Sequence, residues 1–252
     1  MSGPKPIVRE VVTGHEASAA LPDVGPPGTI AALLAPFVHD RRLERMRGVL
    51  ARRTRHLTVL LEEIHDPHNI AACVRSCDAF GIQHVHLVPT RGRRPKAARG
   101  VSRGADRWLT MHLHPTIDAA IAALRAEGYL IAATDISGPS APLPVHDAPL
   151  DRPLCVAFGN EHDGISETLR QAADLAIQVP MVGFVESLNI SVACAIVLHE
   201  LRTRVERSPA GVPPLADAER TALLDRFMFE DIERASSVLA TVLARRGAVD
   251  AR

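Results

Sequence analysis

The chain has few aromatic residues, no long apolar run and no hydrophobic leader. Aromatic side chains make up 3% of the 252 residues whereas 46% are hydrophobic, so we expect a core of aliphatic side chains. No apolar run reaches the roughly 18 residues that a membrane-spanning helix needs, and no membrane association is expected. The first residues, MSGPKPIVREVV, contain no hydrophobic signal region, which predicts a cytoplasmic protein.

Cysteine is also scarce, with four residues and no CxxC motif. Two cysteines fall four residues apart on the apolar side of a predicted helix, and the other two fall in apolar runs. We therefore predict that all four are buried free thiols: Cys73, Cys77, Cys155 and Cys194.

Two His-x-His sequences, at 84–86 and 112–114, could each aim two imidazoles to one side of a strand, as metal sites do. Neither has an acidic or cysteine partner nearby. We therefore predict surface or core histidines, and no bound metal.

Positive charge is segregated although the net charge is zero. Residues 41–55 contain seven arginines and one glutamate, and residues 91–107 contain seven cations and one aspartate. A solvated helix face is the simpler explanation of such a cluster. Two separate clusters, built almost entirely from guanidinium groups that bind phosphate in a bidentate way, favour a nucleic-acid partner. The arginines expected to contact it are Arg41, Arg42, Arg45, Arg52, Arg53, Arg93, Arg94 and Arg103.

Strand-like and helix-like segments alternate from residue 56 onward. Strands are predicted at 56–64, 84–89, 129–135, 154–160 and 176–181, and helices at 69–80, 116–128, 164–173 and 188–206. This alternation indicates an α/β domain over 56–207, with a parallel sheet and helices on both faces. We predict a flexible Pro/Gly-rich arm over 1–38, an Arg-rich helical extension over 39–55 and a helical C-terminal extension over 208–252.

Polar residues follow several predicted strands. Asn69 comes after the first, Glu161 after the fourth, and Ser187 and Asn189 after the fifth. Each could be only a helix cap or a loop residue, but together they predict a ligand pocket at the carboxyl ends of the strands. The chain lacks GxGxxG after its first strand and lacks GxxxxGK[ST] altogether, which disfavours dinucleotide and Walker-type sites.

Three segments of the chain are NIAACVRSCDAFG, FGNEHDGIS and VPMVGFVESLNISVACAIVLHE. They closely resemble the three signature motifs of the SpoU/TrmH family, which belongs to the SPOUT superfamily. Members of this family are RNA ribose 2′-O-methyltransferases. The resemblance covers roughly residues 40–210. It implies a parallel α/β domain with a C-terminal trefoil knot, S-adenosylmethionine as cofactor, RNA as substrate and a homodimeric assembly.

Residue roles also follow from the resemblance. Catalytic positions would be Arg75, Asn69, Glu161, Ser187 and Asn189. Cofactor contacts, largely through backbone, would come from Thr134, Gly159, Val179, Met181 and Leu188. The motif arginine has been proposed as the base in this family. Because a guanidinium donates and does not accept, we favour positioning of the RNA phosphate and 2′-oxygen by Arg75, with phosphate or water taking the proton. The sequence does not decide between these roles.

The flanking segments indicate the substrate. Residues 43–69, residues 100–108 and the tail after Pro214 resemble the branch that methylates guanosine 18 in the tRNA D-loop. The segment before His56 is too short for the compact RNA-binding domain that ribosomal members often carry. Alternatives are methylation of ribosomal RNA or another tRNA position, and a non-catalytic RNA-binding protein on the same fold. A dehydrogenase is more remote.

Overall fold

The computed structural model describes residues 21–90, 104–134 and 141–250. The described chain divides into two compact units. One runs from Thr54 to Pro213, and the other combines the residues before Thr54 with those from Pro214 onward. Within the described ranges, no helix is both long and apolar enough to cross a membrane.

The unit from Thr54 to Pro213 is built on a seven-stranded parallel sheet. Its strands are β1 (Leu57–Glu62), β2 (His84–Val88), β3 (Thr110–Leu113), β4 (Leu130–Ala133), β5 (Leu143–Pro144), β6 (Leu154–Phe158) and β7 (Leu175–Gln178). They lie in the order β3-β2-β1-β6-β4-β7-β5, and each neighbouring pair is parallel. The predicted parallel α/β architecture is confirmed.

Helices cover both faces of this sheet, because alternate strand residues point to opposite sides. The helices are α3 (Pro67–Ala79), α4 (Ile117–Ala126), α5 (Glu167–Ala172) and α6 (Ile190–Arg207). One face packs Val59 of β1 with Cys73 of α3 and Val197 of α6. The other packs Leu60 of β1 with α4 and α5. Two hydrophobic layers therefore hold the sheet, and its strand ends stay open for a site.

Two strands, β3 and β5, were not predicted. They are the two edges of the sheet and are short, with four and two residues. Edge strands need only one hydrogen-bonded neighbour and are often kept short and polar, so they carry a weak hydrophobic signal. The five interior strands were all predicted from their apolar runs.

The other unit consists of helices. They are α1 (Thr29–Leu34), α2 (Asp40–Leu50), α7 (Asp217–Asp231) and α8 (Ala235–Asp250). The helices predicted within 39–55 and 208–252 are present as α2, α7 and α8.

The prediction of a flexible arm over residues 1–38 is wrong for residues 29–34. These residues form α1, which buries Ile30, Leu33 and Leu34. The buried carboxylate of Asp225 in α7 accepts hydrogen bonds of 2.6 Å from the backbone N–H groups of Gly28 and Ala31. Asp225 therefore satisfies two of the backbone donors that the start of α1 leaves open. Residues 1–20 lie outside the described ranges, so the prediction there stays a prediction.

Candidate active site

A cavity of about 470 Å³ opens among the carboxyl ends of the strands. This volume falls within the range of small-molecule sites, about 300–1,000 Å³. Its apolar floor includes the buried side chains of Ile177, Ile190 and Val197. The structure brings all five predicted cofactor-binding residues to its lining: Thr134, Gly159, Val179, Met181 and Leu188. They come from three separate segments, after β4, β6 and β7.

A tight turn after β6 forms one wall of the cavity. The backbones of Asn160 and Gly164 exchange hydrogen bonds of 2.9 and 3.1 Å. A Cβ atom on Gly159 would lie 2.1 Å from the carbonyl carbon of Gly164, so only glycine fits there. The Asn160 Oδ1 accepts from the backbone N–H of His162 at 2.9 Å, and the turn presents Glu161 at the cavity rim. Asn160 was not among the predicted site residues, although asparagine shortly before Asp-Gly is a turn signal that could have identified it.

Three of the predicted catalytic residues form one chain of hydrogen bonds at this rim. The Asn69 Nδ2 donates to Glu161 Oε1 at 2.6 Å, and the Asn189 Nδ2 donates to Asn69 Oδ1 at 3.2 Å. The Asn189 Oδ1 in turn accepts from the backbone N–H of Ser191 at 2.9 Å and so caps α6. The chain joins the starts of α3 and α6 to the turn after β6.

The other two predicted catalytic residues differ in position. Ser187 lines the cavity together with Glu161 and Asn189. Arg75 is exposed on α3, about 9 Å along the helix from Asn69 and about 120° around it, and it does not line the cavity. Among the described residues its guanidinium has no hydrogen-bond or ion-pair partner. The structure therefore does not bring Arg75 into the hydrogen-bonded chain.

The predicted RNA-binding arginines fall into several groups. Exposed ones are Arg41, Arg45 and Arg52. Arg42 is half-exposed, but its guanidinium pairs with Asp231 of α7, with Nη2 2.5 Å from Oδ1. Arg53 is only 1% exposed, so its assignment as a phosphate contact is wrong. A cluster of cations in sequence does not reveal which member turns inward. Residues outside the described ranges are Arg93, Arg94 and Arg103.

The cysteines are buried free thiols, which confirms the prediction. The pKa of Cys73 is raised well above its ordinary value. The larger cause is a hydrogen bond with Cys194, and the next is burial. Burial also raises the pKa of Cys155. Because the thiolate is the nucleophilic form, neither cysteine is suited to nucleophilic catalysis.

The His-x-His residues pair with each other across β2 and β3. Ring nitrogens lie 2.8 Å apart between His84 and His112, and 2.9 Å apart between His86 and His114. The pKa of His86 is lowered to about 2, mainly by burial and to a smaller extent by the neighbouring imidazoles. In the part of the chain that the structure describes, no group of three or more His, Cys, Asp or Glu residues could hold a metal ion. His84, His86 and His114 are buried, as predicted for core histidines.

Comparisons with known proteins identify the family of this chain. The SpoU rRNA Methylase family matches residues 56–199. The chain is 36% identical to the tRNA (guanosine(18)-2′-O)-methyltransferase of Escherichia coli strain K12 over 215 aligned residues. This alignment covers 83% of this chain and 89% of that protein. It is 37% identical over 173 residues to the protein of the same name from Thermus thermophilus, covering 69% and 87%.

Solved structures of the family share the fold. The crystal structure of the A. aeolicus TrmH/SpoU tRNA modifying enzyme superposes with a TM-score of 0.69 at 29% identity, over 77% of this chain and 98% of that chain. The SpoU methyltransferase AviRb from Streptomyces viridochromogenes, in complex with the cofactor AdoMet, superposes with a TM-score of 0.52 at 27% identity, over 62% of each chain. With its motifs, parallel sheet and strand-end cavity, this chain belongs to the SpoU methylase family.

Proposed function

We propose that this protein transfers a methyl group from S-adenosylmethionine to a ribose 2′-hydroxyl of RNA, that of guanosine 18 in the tRNA D-loop. The observation that carries the proposal is the Asn189–Asn69–Glu161 hydrogen-bonded chain at the rim of the strand-end cavity. Relatives at 36% and 37% identity are named for methylation of guanosine 18 in tRNA, which supports the choice of nucleotide.

The residues around the cavity fit S-adenosylmethionine. The apolar floor suits an adenosyl group, and Gly159 keeps the backbone of the wall accessible. Glu161 and Glu186 supply negative charge at the lining, which suits a positively charged sulfonium. When bound, this cofactor supplies a methyl group that is activated for transfer to a nucleophile. The predicted backbone contacts at Thr134, Val179, Met181 and Leu188 belong to the same proposal.

The polar side chains then orient the acceptor ribose. Glu161 accepts a hydrogen bond from Asn69, and Asn69 accepts one from Asn189. Ser187 belongs to the same cavity lining. Arg75 is exposed and without a partner among the described residues, so its guanidinium is available to an RNA phosphate. It would position the phosphate and the 2′-oxygen and stabilise developing negative charge.

The RNA backbone would be bound by exposed arginines. Arg41, Arg45 and Arg52 present unburied guanidinium groups suited to phosphate, and Arg42 is tied to Asp231. Contacts from Arg93, Arg94 and Arg103 remain predictions from the sequence. A tRNA substrate also accords with the predicted cytoplasmic location.

Exposed apolar side chains support a homodimer. Val182 and Phe184 are fully exposed at 106% and 108%, and Val192 and Ile196 are exposed one turn apart on α6. Such a group of apolar residues is typical of a surface that another molecule covers, and we propose a second copy of this chain.

The C-terminal trefoil knot of the family would form in the chain between β7 and α6. In support, β7 pairs with β4 and β5 instead of its predecessor β6, and segments after β4, β6 and β7 line one cavity. The last strand, β7, thus lies between two strands that precede it in the chain, β4 and β5. A knotted cofactor site requires a late segment to lie among earlier ones.

Two alternatives are to be distinguished from this proposal. The family is named for ribosomal RNA, so ribosomal RNA or another tRNA position is the alternative substrate. The same fold could also bind RNA without catalysis. The test is to incubate the protein with labelled S-adenosylmethionine and separate tRNA and ribosomal RNA pools. Label in tRNA alone supports a tRNA substrate, label in ribosomal RNA alone favours ribosomal RNA as the substrate, and no label in either favours RNA binding without catalysis.

A companion binding measurement separates the cofactor question from the substrate question. Calorimetry on the folded protein should detect S-adenosylmethionine binding and no NAD binding, because the strand ends lack the glycine fingerprint of a dinucleotide site. Absence of heat with S-adenosylmethionine would contradict the proposed reaction even before any RNA is tested.

A further inference from the structure

Among the residues that the structure describes, only two ionisable side chains line the strand-end cavity, and both are carboxylates. They are Glu161 and Glu186. The two oxygens of Glu161 already accept hydrogen bonds, Oε1 from the Asn69 amide at 2.6 Å and Oε2 from the backbone N–H of His65 at 3.4 Å. Glu186 is exposed, and no described residue pairs with its carboxylate. The cavity therefore has one carboxylate that is free to bind a ligand.

The cavity has an apolar side and an open polar side. Its floor contains the buried side chains of Ile177, Ile190 and Val197, whereas Glu186 lies in an exposed segment of the lining. Glu186 comes three residues before Asn189, so their Cα atoms lie within about 11 Å of each other. The free carboxylate therefore belongs to the same side of the cavity as the hydrogen-bonded chain at the rim.

S-adenosylmethionine has a matching polarity. Its adenosyl group is uncharged and suits the apolar floor, whereas its amino-acid end carries an ammonium and a carboxylate. An ammonium has three N–H donors and forms charge-assisted hydrogen bonds with a carboxylate. The cofactor therefore fits with its adenosyl group on the floor and its amino-acid end at the exposed side.

Of the two cationic groups of the cofactor, the ammonium is the better partner for direct contact with Glu186. Negative charge at the lining favours the sulfonium at a distance, but a sulfonium has no N–H or O–H group to donate. A free carboxylate in contact with the sulfonium methyl group would also be a nucleophile, and it would compete with the ribose oxygen for that group.

Building on the proposed function, we propose that Glu186 binds the α-ammonium of S-adenosylmethionine and so orients the amino-acid end of the cofactor. The α-carboxylate is then left to neutral donors of the lining, such as the amide of Asn160. The Asn160 Oδ1 accepts from the backbone N–H groups of His162 and Asp163 at 2.9 and 2.7 Å. No described residue accepts from its Nδ2.

The test compares three ligands by calorimetry on the full chain. S-adenosylmethionine has both cationic groups, S-adenosylhomocysteine keeps the ammonium but has a neutral sulfur, and 5′-methylthioadenosine has neither. Glu186→Gln removes the charge and keeps the shape of the side chain. We expect it to weaken binding of the first two ligands by about fivefold, as suits an exposed charge-assisted contact, and to leave that of 5′-methylthioadenosine within about twofold.

The matched control is Glu233→Gln, because Glu233 is an exposed glutamate that does not line the cavity. It should bind all three ligands as wild type does. In about 1 M salt, where charges are screened beyond about 3 Å, the difference in affinity between wild type and Glu186→Gln should shrink. The melting temperature of Glu186→Gln should equal that of wild type, because no described residue bonds to this side chain.

The kinetic signature should be a raised KM for the cofactor. The ammonium takes no part in bond making or breaking, so Glu186 contributes equally to the ground state and the transition state. Loss of such binding raises KM and leaves kcat unchanged. With a tRNA transcript, Glu186→Gln should show a KM for S-adenosylmethionine about fivefold above wild type and a kcat within about twofold. A kcat that falls at saturating cofactor would place Glu186 in the transfer step and overturn the inference.

Three binding outcomes would overturn the inference while leaving the proposed function intact. If Glu186→Gln weakened binding of S-adenosylmethionine alone, the carboxylate would act on the sulfonium. If it weakened binding of all three ligands, the side chain would shape the cavity instead. If it weakened binding of none, Glu186 would be a solvated surface residue. Failure of the folded wild-type protein to bind S-adenosylmethionine would instead contradict the proposed function.

Discussion

The side-chain amide of Asn69 donates a 2.6 Å hydrogen bond to Glu161 Oε1, across 92 positions of sequence. The same amide accepts from Asn189 through its oxygen at 3.2 Å. Because an amide has its donor and acceptor on opposite branches, Asn69 can serve both neighbours in only one orientation. The start of α3 thereby fixes the relative positions of the turn after β6 and the start of α6.

Asn189→Asp should separate the helix cap from the hydrogen-bonded chain. The carboxylate still accepts from the N–H of Ser191, so the melting temperature should stay close to wild type. It cannot donate to Asn69, and the loss of about 1 kcal/mol or more should lower the methyl-transfer rate and cofactor affinity by about tenfold. Asn189→Ala, which loses both bonds, should also lose about 1 kcal/mol of stability. A wild-type rate in Asn189→Asp would show that the chain of hydrogen bonds is dispensable.

Arg75→Ala should abolish turnover and leave cofactor affinity within about threefold of wild type, because Arg75 does not line the cavity and a group that stabilises charge in the transition state affects mainly the rate. Single-turnover rates and calorimetry measure the two effects separately. Arg75→Lys keeps the charge but not the planar fork, and should recover only part of the rate. Equal losses of rate and cofactor affinity would place Arg75 in cofactor binding instead.

Gly159→Ala should abolish cofactor binding, whereas Gly183→Ala should not. The new methyl group at 159 would lie 2.1 Å from backbone atoms of Gly164, and the turn must shift to admit it. At Gly183, also in a segment that borders the cavity, an added Cβ meets nothing within 4 Å. Calorimetry with S-adenosylmethionine gives the comparison. Equal affinities for the two variants would mean that the turn after β6 does not shape the cofactor site.

Acid should weaken the unit that contains the paired histidines. The pKa of His86 is lowered to about 2 in the folded protein, mainly by burial, whereas an unfolded histidine titrates near 6.5. Between these values the unfolded chain binds more protons, so stability falls as pH falls below about 6.5, by up to about 1.4 kcal/mol per pH unit from His86. Urea unfolding at several pH values gives the free energy of unfolding as a function of pH. This free energy should change less steeply with pH in His86→Gln than in wild type or His146→Gln. If the free energy of unfolding of His86→Gln depended on pH as steeply as that of wild type, His86 would not be a source of the acid sensitivity.

The interior of the fold was predictable because its signals are local. The apolar runs of β1, β2 and β6 are buried on both faces of a parallel sheet, and such runs stand out in any sequence. The helix at residues 29–34 could not be predicted in the same way. Its buried face and its Asp225 cap depend on α7, nearly 200 residues later, while the local sequence is dominated by proline and glycine.

The candidate site was predictable as a set of residues but not as a geometry. The motifs identified Asn69, Glu161 and Asn189, while the order of their hydrogen bonds required three remote segments to be placed together. The inward turn of Arg53 was likewise hidden, because a run of arginines has no periodicity that marks one member as buried.

The central claim concerns a single hydroxyl group. The most direct measurement compares methyl incorporation into two tRNA transcripts that differ only at guanosine 18, one with ribose and one with 2′-deoxyribose. We expect the ribose transcript to accept one methyl group per molecule and the deoxy transcript to accept none, because the acceptor oxygen is missing. Undiminished incorporation into the deoxy transcript would contradict the assignment of this hydroxyl as the methyl acceptor.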